Sequence, residues 1–246
     1  LWFNQGIYSP PGDIPTPGFE EKTLPQPDLS TPMPVKISGP TQPGRLLVDV
    51  THGNYFKMVE LEALMKPLAA IGHPVITTDG NIALAEQLKS ATALLVVNPL
   101  TFFSQEEIDA IRAFVSRGGR LLVITDPTRN NYADPFFMDT STSGVDIANH
   151  LLAPFDLAFQ NDYLYNLMEN EGNFRHIIFE DIAVHPLTEG LSKVVLYSAH
   201  SMRTSGNPLV VGDKHTFSSI TDAGGDLPAM AVSEDGHVAA VGDMTF

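Results

Sequence analysis

Asp49, His52 and Asn54 lie in and just beyond the short apolar run Leu46-Leu47-Val48-Asp49-Val50. An imidazole beside a carboxylate and an amide can accept a proton, ligate a metal or hydrogen-bond a polar ligand. Asn98 ends a second such run, Ala93-Leu94-Leu95-Val96-Val97, and Asp126, Arg129 and Asn130 follow a third, Arg120-Leu121-Leu122-Val123-Ile124. Apolar runs this short read as strands buried on both faces. An open parallel sheet holds its ligands outside the carboxyl ends of the strands. Asp49, His52, Asn54, Asn98, Asp126, Arg129 and Asn130 therefore make a candidate binding edge of mixed charge. Its amides, carboxylates and single guanidinium suit a small polar or sugar-like ligand. Turn chemistry is the competing reading, because Asn, Asp and Gly also cap helices and tolerate tight turns.

Other chemistries find less support. The chain has no cysteine, which removes disulfides, thiolate zinc sites and thiol nucleophiles together. Asp49, His52 and Asp126 would suit zinc or iron by ligand type, but no ligand-spacing signature accompanies them, so neither metal nor cofactor is assigned. His73 and His185 each precede a proline, which points to turns. No G-x-S-x-G, P-loop or G-x-G-x-x-G sequence occurs.

The elements that would position the edge are legible from residue 45 to 125. Met58, Leu61, Leu64, Met65 and Leu68 recur at helical spacing after the first strand, with Pro67 ending or kinking that helix near its last turn. Pro74-Val75-Ile76-Thr77-Thr78 is a strand, and a short helix carries Leu84 and Leu88. Ser104 and Glu107 form a capping box ahead of Ile108, Ile111, Phe114 and Val115, and Gly118-Gly119 stops that helix. Strands and helices alternate with short connections, which calls for right-handed crossovers and a mainly parallel sheet. The expected fold is a three-layer, flavodoxin-like α/β sandwich with a more irregular, partly antiparallel carboxyl-terminal section. There, a helix at about 145–152 capped by Ser143 is expected. Strands are expected at 175–180, 193–197 and 208–211, with a closing hairpin of 228–233 and 237–241.

Several stretches resemble a known family. They are Val48-Asp49-Val50-Thr51-His52-Gly53-Asn54, Ser104 to Glu107 through Gly118-Gly119-Arg120-Leu121-Leu122, Ala148-Asn149-His150-Leu151-Leu152 with Phe155, and Val241-Gly242-Asp243. Together they are similar to the DUF4350 group and its relatives among gliding-motility ABC-transporter auxiliary proteins. That resemblance covers roughly residues 45–246 and implies the class I glutamine amidotransferase-like superfamily. Active members of the superfamily place a cysteine on the turn after a central strand, assisted by His and Glu. Here that turn reads Thr125-Asp126-Pro127, so amidotransferase chemistry does not carry over. Strands one and four can be neighbours in a doubly wound sheet, which would make His52 the nearest base to the Thr125 hydroxyl.

The expected function is a non-catalytic binding or interaction module, the extracytoplasmic domain of a membrane-anchored bacterial protein of transporter-auxiliary type. The alternative is a hydrolase acting on a small polar or carbohydrate substrate at the same edge. A net charge of −15 repels phosphate backbones, so nucleic acid is not an expected partner. A protein partner or a small polar ligand is. Residues 1–44 read as a proline-rich linker, and Leu1-Trp2-Phe3 is the kind of stub that follows a membrane anchor. Membrane contact is expected only through such an anchor.

Overall fold

The structure, a computed structural model, describes residues 44–129, 143–221 and 224–244. Nearly all of the proposed linker therefore lies outside the described residues, as does Asn130.

The strands read from the sequence form β1 (Leu46–Val48), β2 (Val75–Thr77), β3 (Ala93–Val97) and β4 (Arg120–Ile124). All four run parallel, paired in the order β2-β1-β3-β4. Alternation sends Leu47, Leu94, Val96, Leu121 and Val123 to one face and Val48, Leu95, Val97 and Ile124 to the other. Helix α1 (Glu62–Ala70), entered through a 3-10 turn at Met58–Leu61, returns the chain from β1 to β2. Helices α2 (Leu84–Leu88) and α3 (Gln105–Ser116) carry it back across to β3 and β4 on the opposite face. The winding therefore reverses between β1 and β3, the place where such sheets bind ligands.

Helix α3 follows the expected local rules. Ser104 Oγ accepts from the Glu107 amide, and the Glu107 carboxylate accepts from the Ser104 amide in return. Ile108, Ile111, Phe114 and Val115 are buried against the sheet, and Gly118 ends the helix at φ 94°. Helix α1 differs from its sequence reading. The periodic residues are there, but Leu61 in the entry turn is buried and no residue of Glu62–Ala70 is. Pro67 sits within the helix, which ends at Ala70.

Beyond β4, α4 (Gly144–Leu152) begins at the expected Ser143 cap and covers the same face as α3. The chain then forms β5 (Leu157–Phe159), β6 (Leu164–Asn166), β7 (Ile177–Phe179), β8 (Asp181–Ile182), β9 (Val194–Leu196), β10 (Met202–Thr204), β11 (Asn207–Val211) and β12 (Thr216–Ser218). The closing strands are β13 (Pro228–Val232) and β14 (Val238–Val241). β5, β6, β8, β10 and β12 had no counterpart in the sequence reading. β14 pairs parallel with β4 and antiparallel with β13, extending the main sheet to β2-β1-β3-β4-β14-β13-β11-β8. The result is an α/β fold with a mixed sheet, consistent with a flavodoxin-like sandwich. One expectation is corrected: β1 and β4 are not neighbours, because β3 lies between them and pairs with both.

Candidate functional site at the carboxyl edge of the sheet

The turn after β1 folds on its own polar groups. Asp49, 1% exposed, accepts from Thr51 and takes both carboxylate oxygens to His52 Nδ1, at 2.9 and 3.0 Å. The other ring nitrogen of His52 lies 3.5 Å from the Glu107 carboxylate at the start of α3. The imidazole also stacks on Phe103 at 3.6 Å between centroids. Burial opposes the charge on Asp49, but the hydrogen bond and charge of His52, with Thr51, outweigh it and hold the carboxyl below its ordinary value. Burial likewise opposes protonation of His52, yet Asp49 and then Glu107 raise its pKa above the ordinary value. The result is a ring whose two nitrogens each face a carboxylate, tying the β1 turn to the amino terminus of α3.

A second network follows β4. Asp126 accepts from the Thr128 amide and hydroxyl at 2.7 and 2.6 Å. Arg129 makes a two-pronged contact with Glu60, at 2.6 and 3.1 Å, and its Nε stands 3.7 Å from Asp126. It thereby joins this turn to the one that precedes α1. Burial raises the pKa of Asp126, and the charge of Asp243 adds to that effect against the opposing pull of Thr128 and Arg129. Asn54 closes the β1 turn by accepting from the His52 amide and donating to the Val97 carbonyl.

Asn98 and Thr125 come next in register after the Val97–Ile124 pair, so they stand side by side at the carboxyl edge of β3 and β4. Asn98 is in the left-handed region, at φ 41°, a conformation that Asn tolerates better than most residues. Its Nδ2 donates to the Met244 sulfur. Its Oδ1, the Thr125 hydroxyl and Asp126 Oδ2 are buried without a hydrogen-bond partner among the described residues. Thr125 is therefore not bonded to His52, as the intervening β3 requires. The structure brings Asp49, His52 and Asn54 into one network and Asp126 and Arg129 into another, with Asn98 beside the second.

Some contributors escaped the sequence reading. Glu107 was assigned only to its cap, although the capping box itself puts its carboxylate at the end of α3 that meets the sheet edge. Glu60 and Phe103 carried no signal. His200, read as a loop residue, is 1% exposed, and its Nδ1 donates to the Asp162 carbonyl at 2.6 Å. Burial drives its pKa down to about 4, so it is neutral at neutral pH. Its amide donates to the Gly242 carbonyl, just after β14. Among the described residues no group of three or more His, Asp and Glu side chains is arranged to hold a metal ion.

Residues 62–243 match the family model described as "Domain of unknown function (DUF4350)". The chain belongs to this family. Its sheet and helices are similar to those of the solved "mmIFT52 N-terminal domain", at 13% identity, over 81% of this chain and 86% of that one, with a TM-score of 0.62. A putative ThuA-like protein from Bacteroides uniformis aligns over 84% of this chain and 85% of its own, at 15% identity and a TM-score of 0.46. A second, from Parabacteroides merdae, aligns over 81% and 79%, at 11% identity and the same TM-score. At these identities the likeness concerns the fold alone. No curated protein matches the chain in sequence. With no cysteine, this DUF4350 domain has no thiolate for amidotransferase chemistry.

Proposed function

We propose that this DUF4350 domain is a non-catalytic binding module of the bacterial cell envelope, of the transporter-auxiliary type within the glutamine amidotransferase-like superfamily. The observation that carries this reading is the state of His52. A general base needs an unprotonated nitrogen facing its substrate. Both His52 nitrogens instead face carboxylates, and the ring is covered by Phe103. The test is direct. Purified protein is expected to leave glutamine and simple ester substrates unchanged. Turnover that disappears in His52→Ala would overturn the reading and establish a hydrolase. The envelope location rests on the resemblance to transporter-auxiliary proteins and on the proline-rich character of residues 4–44 as a spacer. Fractionation of cells carrying the full gene product is expected to find it in the membrane fraction, and recovery in the cytosol would refute that location.

One observation favours a small polar ligand as what the edge binds. Asn98 Oδ1, Thr125 Oγ1 and Asp126 Oδ2 are buried polar atoms with no hydrogen-bond partner among the described residues, and a ligand with hydroxyl or N–H groups would supply donors. Asp49, His52, Asn54 and Arg129 would frame that site. Calorimetric titration with a panel of neutral monosaccharides and amino acids is expected to find a ligand whose binding is lost in Asn98→Ala. Absence of binding across the panel would leave the three atoms to buried water and refute a sugar-like or amino-acid-like ligand.

A further inference from the structure

The sheet is covered unevenly. One face carries α2, α3 and α4, while the other carries α1 at one side and the 186–196 segment at the other. Between them runs an open groove of about 530 Å³. Leu95, Leu122 and Ala239 lie in its floor, Leu64 and Leu68 of α1 form one wall, and Leu191 stands in the other. Leu64, Leu187 and Leu191 are 37%, 47% and 49% exposed, a contiguous apolar surface of the kind that marks a binding site. The volume falls within the range of small-molecule sites.

The polar lining is concentrated along one side. Strand alternation puts Arg120 on the same face as Leu122 and Ile124, and His237 on the same face as Ala239 and Val241. Both line the groove at the amino-terminal edge of the sheet. Arg120 donates from Nη1 to the Gly236 carbonyl at 2.9 Å, and among the described residues no carboxylate stands within ion-pair distance of it. His237 Nδ1 lies 3.3 Å from the Gly119 carbonyl. An unpaired guanidinium in a chain of net charge −15 is a specific place for an anion.

We propose that this groove binds a free long-chain carboxylate, with the acyl chain along the apolar floor and the carboxylate on Arg120 beside His237. The lining residues come from β1, β3, β4, β14, β13 and β11, so the floor runs across these neighbouring strands for about 24 Å, at about 4.8 Å per strand, a length that suits an extended acyl chain rather than a compact solute. The site is at the opposite end of the strands from the carboxyl-edge residues, so it stands or falls independently of the reading of that edge.

The experiment is calorimetric titration of the full chain with laurate below its micellar concentration, with dodecanol as the uncharged control. Saturable laurate binding is expected, with dodecanol weaker. Arg120→Gln is expected to weaken laurate roughly tenfold while leaving dodecanol unchanged, as loss of a charge-assisted hydrogen bond requires. Leu191→Asp, at an exposed wall position that tolerates a polar residue in the fold, is expected to weaken both ligands. Circular dichroism checks that each variant is folded, and Asn98→Ala is expected to leave laurate binding intact. Absence of saturable laurate binding, or binding that Arg120→Gln and Leu191→Asp both leave unchanged, would overturn the proposal. So would a concentration-dependent dimer that Leu191→Asp dissociates, since the groove would then belong to a second copy of the chain.

Discussion

Replacing His52 by Ala tests whether the carboxylate–histidine clamp holds the fold. The substitution leaves Asp49, 1% exposed, with only neutral partners, the Thr51 amide and the Thr51 and Thr78 hydroxyls, and it removes the ring from Phe103. Removing one partner of a buried ion pair costs about 3–5 kcal/mol, because the remaining charge is left uncompensated. Glu107 is a different case, since its side chain is 31% exposed and its pair with His52 is partly screened. Glu107→Gln keeps the capping box, so its cost is expected to be only about 0.5–1 kcal/mol. The pH dependence has a definite sign. His52 has a raised pKa in the fold, so its contribution is complete below its ordinary 6.5 and disappears as pH rises through the folded value. Asp49 has a lowered pKa, so its contribution is complete above its ordinary 3.8 and disappears as pH falls through the folded value. The gap between wild type and His52→Ala is therefore widest between these limits and narrows on both sides. Urea denaturation at pH 5, 6 and 8.5 measures it, and the ring-proton NMR titration gives the His52 pKa directly. A loss under about 1 kcal/mol at pH 6, or a pKa below the ordinary value, would refute the clamp.

The remaining expectations concern packing and charge. Phe114→Ala should cost about 3–5 kcal/mol, since the ring is buried under the sheet. Ser104→Ala should cost only about 1 kcal/mol through loss of the cap. Chemical denaturation that finds the two equal would contradict the packing of α3. Asp126→Asn should remove a destabilising ionisation: with its pKa raised by burial and Asp243, the folded state loses stability as pH climbs above the ordinary 3.8. The variant's stability should fall less than that of wild type from pH 4 to 7, and an unchanged slope would count against it.

The parallel half of the fold was legible because each of its strands is a short apolar run between strong punctuation. Ser104, Glu107 and Gly118-Gly119 bracket α3 by local chemistry alone, and Ser143 does the same for the start of α4. The second half lacked such signals. β6, Leu-Tyr-Asn, pairs with β12, Thr-Phe-Ser, through Asn166 and Thr216, and neither segment is long enough to show alternation. Partners that distant in sequence are chosen by tertiary packing, which a local pattern does not contain. The edge residues were legible as types in the right place. Their wiring was not, because the decisive partners, Glu107 for His52 and Glu60 for Arg129, arrive from helical segments that pack over the edge.

The Val241-Gly242-Asp243 stretch shows how a recognisable motif can be structural in origin. A side chain at Gly242 would place its Cβ 2.4 Å from the His200 carbonyl oxygen and 2.8 Å from its amide nitrogen, both backbone atoms that cannot rotate away. Glycine is required there for close approach, since Gly242 is not in the left-handed region. Asp243 reinforces the contact by accepting from the backbone amides of Tyr197 and Ser198. The motif thus fastens the 197–200 segment, including buried His200, to the end of the strand that enters beside β4. Gly118 offers the contrast: it has a positive φ and nothing within 4 Å of a built Cβ. Gly118→Ala therefore carries only backbone strain of about 1–2 kcal/mol. Gly242→Ala must displace backbone in a packed interior, at about 1–3 kcal/mol or more, and it should also disturb His200. Denaturation should rank Gly242→Ala as the costlier of the two, and only that variant should shift the His200 ring resonances. If Gly242→Ala is instead neutral and leaves those resonances in place, the close approach does not exist and the motif needs another explanation.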